Sequence, residues 1–409
     1  MRLLYISPRF PYPADQGDKV VIYNQLKFLS RENKITLLSF IQDDKEREGI
    51  SHLSRYCSRI EVFKKRPNLS ILNFIMAVYK SEPFTAIRYY SAEMFKRSRG
   101  LIESGEFDVV HVAFYYMGQY AVNKKISIPK TTAAILDTHN IEYLIYSRYS
   151  RLAKNPIVKL LMRLESLRIK GCELPMYKRF DRCIAFSELD KRNIMRLTGV
   201  SNIAVNPACV ELPGMVKTSP HKEEEANSII FFGLLNTPAN DDAVRFFYED
   251  IFPLIKTVMP GIKFIIAGKR PTGYVTNLIK DPNVRFLGLV PEIRSLLEKA
   301  ALVVVPLRLG GGIRIKILES WAAAKGVVST SIGTEGLEVK NGEDIVIADS
   351  AVDFANAVVG LLRDNAKRRE IGQAAFKKAG EYYNPDRIIS NLETIYKEAL
   401  EGKKRSSEL

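Results

Sequence analysis

Short apolar runs rich in β-branched residues recur along the chain. They alternate with longer segments whose apolar positions return every three or four residues. The runs Leu3–Ser7, Ile35–Phe40, Arg59–Phe63, Val109–Ala113, Thr132–Asp137 and Arg182–Phe186 read as buried parallel strands. Amphipathic stretches such as Lys19–Leu29 and Pro156–Tyr177 read as helices between them. The rhythm then starts again, with strands predicted at Ser228–Phe232, Lys263–Ala267, Val284–Leu287, Leu302–Leu307, Val327–Thr330 and Asp344–Ala348. Helices are predicted at Val352–Arg363, Asn365–Tyr382 and Arg387–Glu401. Two consecutive α/β units with parallel sheets are the economical fold. Between them ELPGMVKTSPHKEEEAN, residues 211–227, has the prolines, glycine and charge run of a linker. The expected division is 1–212, a linker at 213–227, a second domain at 228–384, and a terminal segment at 385–409 whose tail GKKRSSEL frays. Ligands of such sheets bind at the carboxyl ends of the strands, so a cleft between the two sheets is the expected site.

With 409 residues, 46% apolar and 26% charged, the chain has ordinary globular composition, which excludes a disordered, collagenous or coiled-coil protein. The 61 Lys and Arg exceed the 46 Asp and Glu by 15. The excess is uneven: residues 1–216 hold 34 basic and 21 acidic residues, and residues 217–409 hold 27 and 25. A basic first half calls for an anionic partner: nucleic acid, a membrane surface or a phosphorylated molecule. Cys57, Cys172, Cys183 and Cys209 show neither Cys-x-x-Cys spacing nor a nearby His, so a reduced cytosolic protein with inert thiols is expected. The N-terminus lacks a signal-peptide pattern, and no run of eighteen apolar residues predicts a membrane span. The most apolar window, Leu69–Tyr79, reads as a buried or interfacial helix.

The segment VVVPLRLGGGIRIKILESWAAAK is the most informative. A strand is followed by Gly310, Gly311 and Gly312 and then by a helix. Glycines let a backbone approach a ligand, and a helix start offers unpaired N–H groups with partial positive charge. Arg314 and Lys316 add full charges, and Glu319, one turn on, suits a pair of ribose hydroxyls. The bland alternative is a tight turn with solvated basic residues. Gly17, in YPADQGDK, is either a plain turn or a loop facing an anion. His139 follows a strand at its carboxyl end. A lone His is usually structural, but that position favours a functional one. Asn140, Glu142 and Arg148 line the same stretch. Asp43–Asp44 and Asp241–Asp242 read as solvated helix starts, and no convergent carboxylates predict a metal site.

PLRLGGGIRIKILESWAAAKGVVSTSIGTEGL resembles the donor-binding segment of GT-B glycosyltransferases, in the group usually called family four. More narrowly, it is similar to bacterial exopolysaccharide sugar transferases, including those accompanying exosortase-type (PEP-CTERM) systems. ISPRFPYPADQGDKVVIYNQLKFLS, LDTHNIEYLIYSR, FFGLLNTPANDDAVRFF, IIAGKRP and VRFLGLVPEIRSLLEKAALVVVP match further family segments in order, over nearly the whole chain. The resemblance implies two Rossmann-like domains facing a cleft, the first binding acceptor and the second donor, with the C-terminal helix crossing back to the first. It implies a nucleotide-diphosphate sugar as substrate, no cofactor and no metal. It assigns donor contacts to Gly17, Gly233, Gly268, Gly310, Gly311, Gly312, Arg314, Lys316 and Glu319. It assigns catalysis to His139, Arg314 and Lys316, and the acceptor side to Asn140, Glu142 and Arg148.

Two departures from the family matter. The first Glu of the usual Glu-x7-Glu pair is replaced by Gly311. The loop Gly233–Thr237 carries neither the Arg nor the Lys of many relatives, so the diphosphate charge falls on Arg314 and Lys316. Front-face attack with retention of anomeric configuration, the proposal usual for the family, needs no protein base. His111, in VVHVAF, lacks a second His at Ala113 and reads as structural. A lipid-linked glycan acceptor and peripheral contact with an anionic inner-membrane face would account for the basic first half. The competing readings are a same-fold epimerase, a non-catalytic sugar-nucleotide binder and a nucleic-acid-binding protein. The last is disfavoured because no nucleic-acid-binding motif occurs.

Overall fold

The computed structural model describes residues 1–65, 82–153, 155–211, 224–290, 292–312 and 314–408. The window Leu69–Tyr79 lies outside them. The chain forms two compact units. One comprises residues 1–208, 311–313 and 385–409, and the other residues 209–310 and 314–384.

The first unit holds a seven-stranded sheet of β1 (Arg2–Ser7), β2 (Lys34–Ile41), β3 (Arg59–Lys64), β4 (Val109–Ala113), β5 (Ala133–Asp137), β6 (Arg182–Ala185) and β7 (Ile203–Val205). Their order is β3-β2-β1-β4-β5-β6-β7, and every pairing is parallel. The second holds β8 (Glu225–Phe232), β9 (Lys263–Ala267), β10 (Val284–Gly288), β11 (Ala300–Val305), β12 (Val327–Ser329) and β13 (Val346–Ile347), in the order β10-β9-β8-β11-β12-β13. These pairings are parallel too. Leu3, Leu4, Ile6, Val109, Val110, Ile135 and Leu136 are fully buried, which is why these strands read as unbroken apolar runs rather than alternating ones. In both sheets the strand order reverses beside the first strand, at β1/β4 and at β8/β11, where doubly wound sheets open a crevice for ligands. The architecture is the two-Rossmann α/β fold of the GT-B class.

Three local expectations are corrected. Residues 225–227, taken as linker, belong to β8. Glu224, just before them, hides its charge in ion pairs. Glu224 bonds Lys325 at 3.0 Å and also pairs with Arg368, and all three side chains are nearly buried. Residues 402–408 of the tail expected to fray belong to a helix running from Pro385 to Glu408. The three-residue strand β7 was not anticipated.

The Pro385–Glu408 helix belongs to the first unit. Leu392, Ile395, Tyr396 and Ala399 join the apolar cluster built on β1. Asn33 Nδ2 donates to Glu393 Oε1 at 2.7 Å and ties the helix to the chain just before β2.

Candidate active site

In the second unit the loop after β11 leads into the helix Ile315–Ala322, with Arg314 at its N-cap. Gly310 has φ +131°, and a Cβ there would lie 2.6 Å from Arg314 Nη1, so the guanidinium lies against bare backbone. Arg314 is 8% exposed and donates from Nη2 to the Ile332 carbonyl at 3.2 Å. Lys316 donates to Asn240 Oδ1 at 2.8 Å and stands 4.1 Å from the Phe231 ring centroid. Burial, with Arg314 beside it, pushes the Lys316 ammonium down to about 7. Burial pushes the Glu319 carboxyl up to about 7, with the Lys316 charge opposing. Both groups therefore change charge near neutrality, and each gains from a ligand of complementary character.

Gly233 and Gly268, at the carboxyl ends of β8 and β9, have φ of +143° and +153°. They touch through their backbones: a Cβ on Gly268 would fall 1.8 Å from the Gly233 carbonyl oxygen. A Cβ on Gly233 would meet Asn240 Nδ2 at 3.0 Å and Lys316 Nζ at 3.6 Å. Bare backbone, two cations, the start of a helix and a carboxylate one turn on can hold an anion joined to a diol. The adjacent acids are engaged elsewhere. Asp241 accepts from Thr272 at 2.6 Å and from Arg245 at 2.8 Å, and Asp242 pairs with Arg308 at 2.7 Å.

In the first unit β5 ends at Asp137, and the chain turns through His139, with φ +38°, into the helix Glu142–Leu152. The His139 ring is stacked on Phe114 at 4.4 Å and packs on Phe186 at 4.8 Å. It is 4% exposed, more enclosed than a side chain read as lining an open wall. Burial holds its pKa below the usual value, with Asp137 opposing, so the imidazole is neutral at pH 7. Its Nε2 lies 3.8 Å from Asp137 Oδ2 and has no hydrogen-bond partner.

Asp137 is the hub of a buried polar chain. Gln25 Nε2 donates to its Oδ2 at 2.9 Å, and His111 Nε2 lies 3.5 Å from the same oxygen. Tyr5 donates to Gln25 Oε1 at 2.5 Å, and Tyr396 Oη lies 2.7 Å from His111 Nδ1. His111 is thus fully buried between β1 and the C-terminal helix, stacked on Tyr5 at 4.4 Å.

Glu142 opens its helix and has no side-chain cap. Glu173 supplies one from the helix Pro156–Met176, accepting from the Glu142 and Tyr143 backbone N–H groups at 2.9 and 3.0 Å. Tyr177 donates to the same carboxylate at 3.0 Å. Burial, then repulsion from Glu173, pushes the Glu142 carboxyl up to about 8, the range of a proton-transferring acid. Arg148 stands on the same helix about 120° round from Glu142, so the two do not share a face. Gly17 is the exposed first residue of the helix Gly17–Leu29, with no positive φ. Its neighbours Gln16 and Asp18 both hold Arg9, at 3.3 and 2.7 Å.

The structure thus brings Gly233, Gly268, Gly310, Arg314, Lys316 and Glu319 together in one unit. It puts Gly17, His139, Asn140, Glu142 and Arg148 in the other, where Gly311 and Gly312 also group. Sequence reasoning missed Asn240, Asp137, Gln25, Glu173 and Arg9. Apart from Arg9, held by the nearby Gln16 and Asp18, each acts through a partner far along the chain that no local pattern marks.

Residues 226–364, which include the whole Arg314–Glu319 set, match the model of the family described as glycosyl transferases group 1. A curated relative, described as an uncharacterized 44.6 kDa protein of the cps region of Klebsiella pneumoniae, is 23% identical over 96% of this chain and 98% of its own length. Among solved structures, sucrose-phosphate synthase from Thermosynechococcus elongatus superposes with a TM-score of 0.73. It is 13% identical and matches over 98% of this chain and all of its own. Anabaena HepE, solved with UDP-glucose, gives a TM-score of 0.66 at 16% identity, over 96% of this chain and 98% of its own.

Proposed function

We propose that the protein is a glycosyltransferase that moves a sugar from a nucleotide-diphosphate sugar to a lipid-linked glycan acceptor in cell-surface polysaccharide synthesis. The observation that carries this reading is the Arg314–Lys316–Glu319 set at a helix start, inside the segment that matches the family model. As the glycosidic bond breaks, the departing diphosphate gains negative charge. Arg314, Lys316 and the helix N-terminus are placed to stabilise that charge more than the intact donor, without a metal ion. The Glu319 carboxylate, beside the Lys316 charge, is left to accept the ribose hydroxyls. In this reading the leaving phosphate takes the acceptor proton and the anomeric configuration is retained. His139, Asn140 and Glu142 serve the acceptor side. The solved HepE complex supports a uridine donor, and the cps-region relative supports a role in capsule-type polysaccharide. The narrower assignment, to exosortase-associated exopolysaccharide transferases, rests on the sequence resemblance.

A thermal-shift panel of UDP, GDP, ADP and CMP and their common sugars, without metal, tests the donor assignment. One diphosphate, at about a hundred times its Kd, is expected to stabilise the chain by about 2.7 kcal/mol. The shift should vanish in Arg314→Ala and Glu319→Ala. A panel with no response in the wild type would overturn the reading.

Peripheral contact with an anionic membrane is part of the same proposal. No helix among the described residues is long and apolar enough to cross a membrane. The helix Pro156–Met176, however, wears its apolar residues outward. Ile157, Leu160, Leu161, Leu164 and Leu167 are 41–68% exposed, while Glu165, Ser166 and Glu173 are buried on the other side. The buried polar groups are satisfied: Glu165 accepts from the Phe84 N–H at 2.6 Å, and Ser166 donates to the Tyr143 carbonyl at 2.9 Å. Lys159, Arg163 and Lys170, exposed on the same helix, complement an anionic leaflet, at about 1 kcal/mol each. Sedimentation with phosphatidylglycerol vesicles should weaken as salt rises, and should be lost in Leu160→Ser/Leu164→Ser. Vesicle binding indifferent to both changes would remove this part of the proposal.

A further inference from the structure

At the carboxyl ends of β1 and β3, three cationic side chains of the first unit gather round one phenol. Arg9, two residues past β1, donates Nε to the Tyr89 hydroxyl at 3.3 Å. Lys65, the residue after β3, donates to the same oxygen at 2.9 Å and stands 4.3 Å from the ring centroid. Arg88 ends the helix Phe84–Arg88 with its Cζ 5.8 Å from that ring, and its buried Nε has no hydrogen-bond partner. Tyr116 stacks on Tyr89 at 5.0 Å and closes one side. Among the described residues, the carboxylate paired directly with the group is Asp18, 2.7 Å from Arg9. Burial, with the neighbouring cations, holds both Lys65 and Arg88 below their usual pKa values, against the pull of Tyr89. Like charges so crowded and half-buried cost stability that a bound anion would return. The cluster lies beside the β1/β4 reversal of the sheet, and the Arg9 charge reaches Glu142.

We propose that Arg9, Lys65 and Arg88 form a binding site for a phosphate or diphosphate group. That the group belongs to the acceptor rests on the glycosyl-transfer reading; the anion site itself does not.

Calorimetric titration of inorganic pyrophosphate into the full chain carrying Arg314→Ala tests the site with the second unit's anion-binding arginine removed. Pyrophosphate is expected to bind. Lys65→Gln and Arg88→Gln should each raise Kd about tenfold, the loss of one charge-assisted contact. Lys64→Gln, at an exposed neighbour paired with Asp44 at 2.9 Å, should leave Kd unchanged. Farnesyl diphosphate below its micellar concentration separates the sources. Tighter binding than pyrophosphate, with the same dependence on Lys65 and Arg88, identifies a lipid diphosphate; equal binding identifies a soluble phosphate group. No binding, or a Kd unmoved in both Gln variants while their melting curves match the parent, overturns the proposal. Wild-type chain that binds pyrophosphate through Lys65 and Arg88 yet ignores every nucleotide would retain this site and discard the glycosyl-transfer reading.

Discussion

Replacing Arg314 with alanine is expected to lower kcat/KM for sugar transfer by two to three orders of magnitude, the effect of removing one preorganised donor from a developing anion. The size follows from how the residue is held. Its guanidinium is nearly buried, anchored on the Ile332 carbonyl, and lies against Gly310, so it needs little reorganisation when charge develops. The loop Gly233–Thr237 offers no substitute cation. If the proposed donor site is right, the same set is expected to give donor affinity a maximum near pH 7. Lys316 titrates at about 7 in the free protein, and a bound diphosphate raises that value. Its contribution is therefore full below pH 7 and lost as pH rises toward the bound value. Glu319 also titrates at about 7, and hydroxyl donors lower that value. Its contribution is full above pH 7 and lost as pH falls toward the bound value. Lys316→Met should flatten the alkaline limb and Glu319→Gln the acid limb, read from nucleotide Kd between pH 5 and 9. A flat wild-type profile would refute this account of the site.

The second large effect is on stability. Gly268→Ala should destabilise the second unit by more than about 4 kcal/mol, lowering its melting transition by roughly 10 °C. The new methyl would overlap the Gly233 carbonyl oxygen, a backbone atom that cannot rotate away, and φ +153° is closed to a side chain in any case. Gly360→Ala is the matched control. Gly360 lies exposed in the helix Ala351–Arg363 with nothing near its would-be Cβ, and alanine there should add up to about 1 kcal/mol. If both variants melt like the wild type, the close approach of the two strand-end glycines is wrong.

Both predictions concern residues that the sequence made visible, and for a physical reason. A strand buried on both faces must be a run such as Val303–Val305, and a backbone that must bare itself must use glycine, so these features write themselves locally. Ile203–Val205 is too short to stand out, although it completes the sheet. Glu224 was read as linker because a charge looks solvated until its partners Lys325 and Arg368, far along the chain, are seen beside it. His139 was legible as a residue at a strand end, but its enclosure by Phe114 and Phe186, and its relation to Asp137, were not. Glu173 capping another helix, and Asn240 holding Lys316, depend on tertiary placement that no spacing rule encodes.

The helix Pro385–Glu408 is synthesised after both sheets, yet it completes the unit that was begun first. Tyr396 reaches His111 across 285 residues, and the groove it fills is lined by residues made long before. The second unit, which ends at Asn384, has all its strands as soon as that residue emerges. The half encoded second is thus the first that can finish folding during synthesis, while the first waits with part of its core uncovered. Emergence of that helix, rather than synthesis of its own sheet, is the event that closes the first unit.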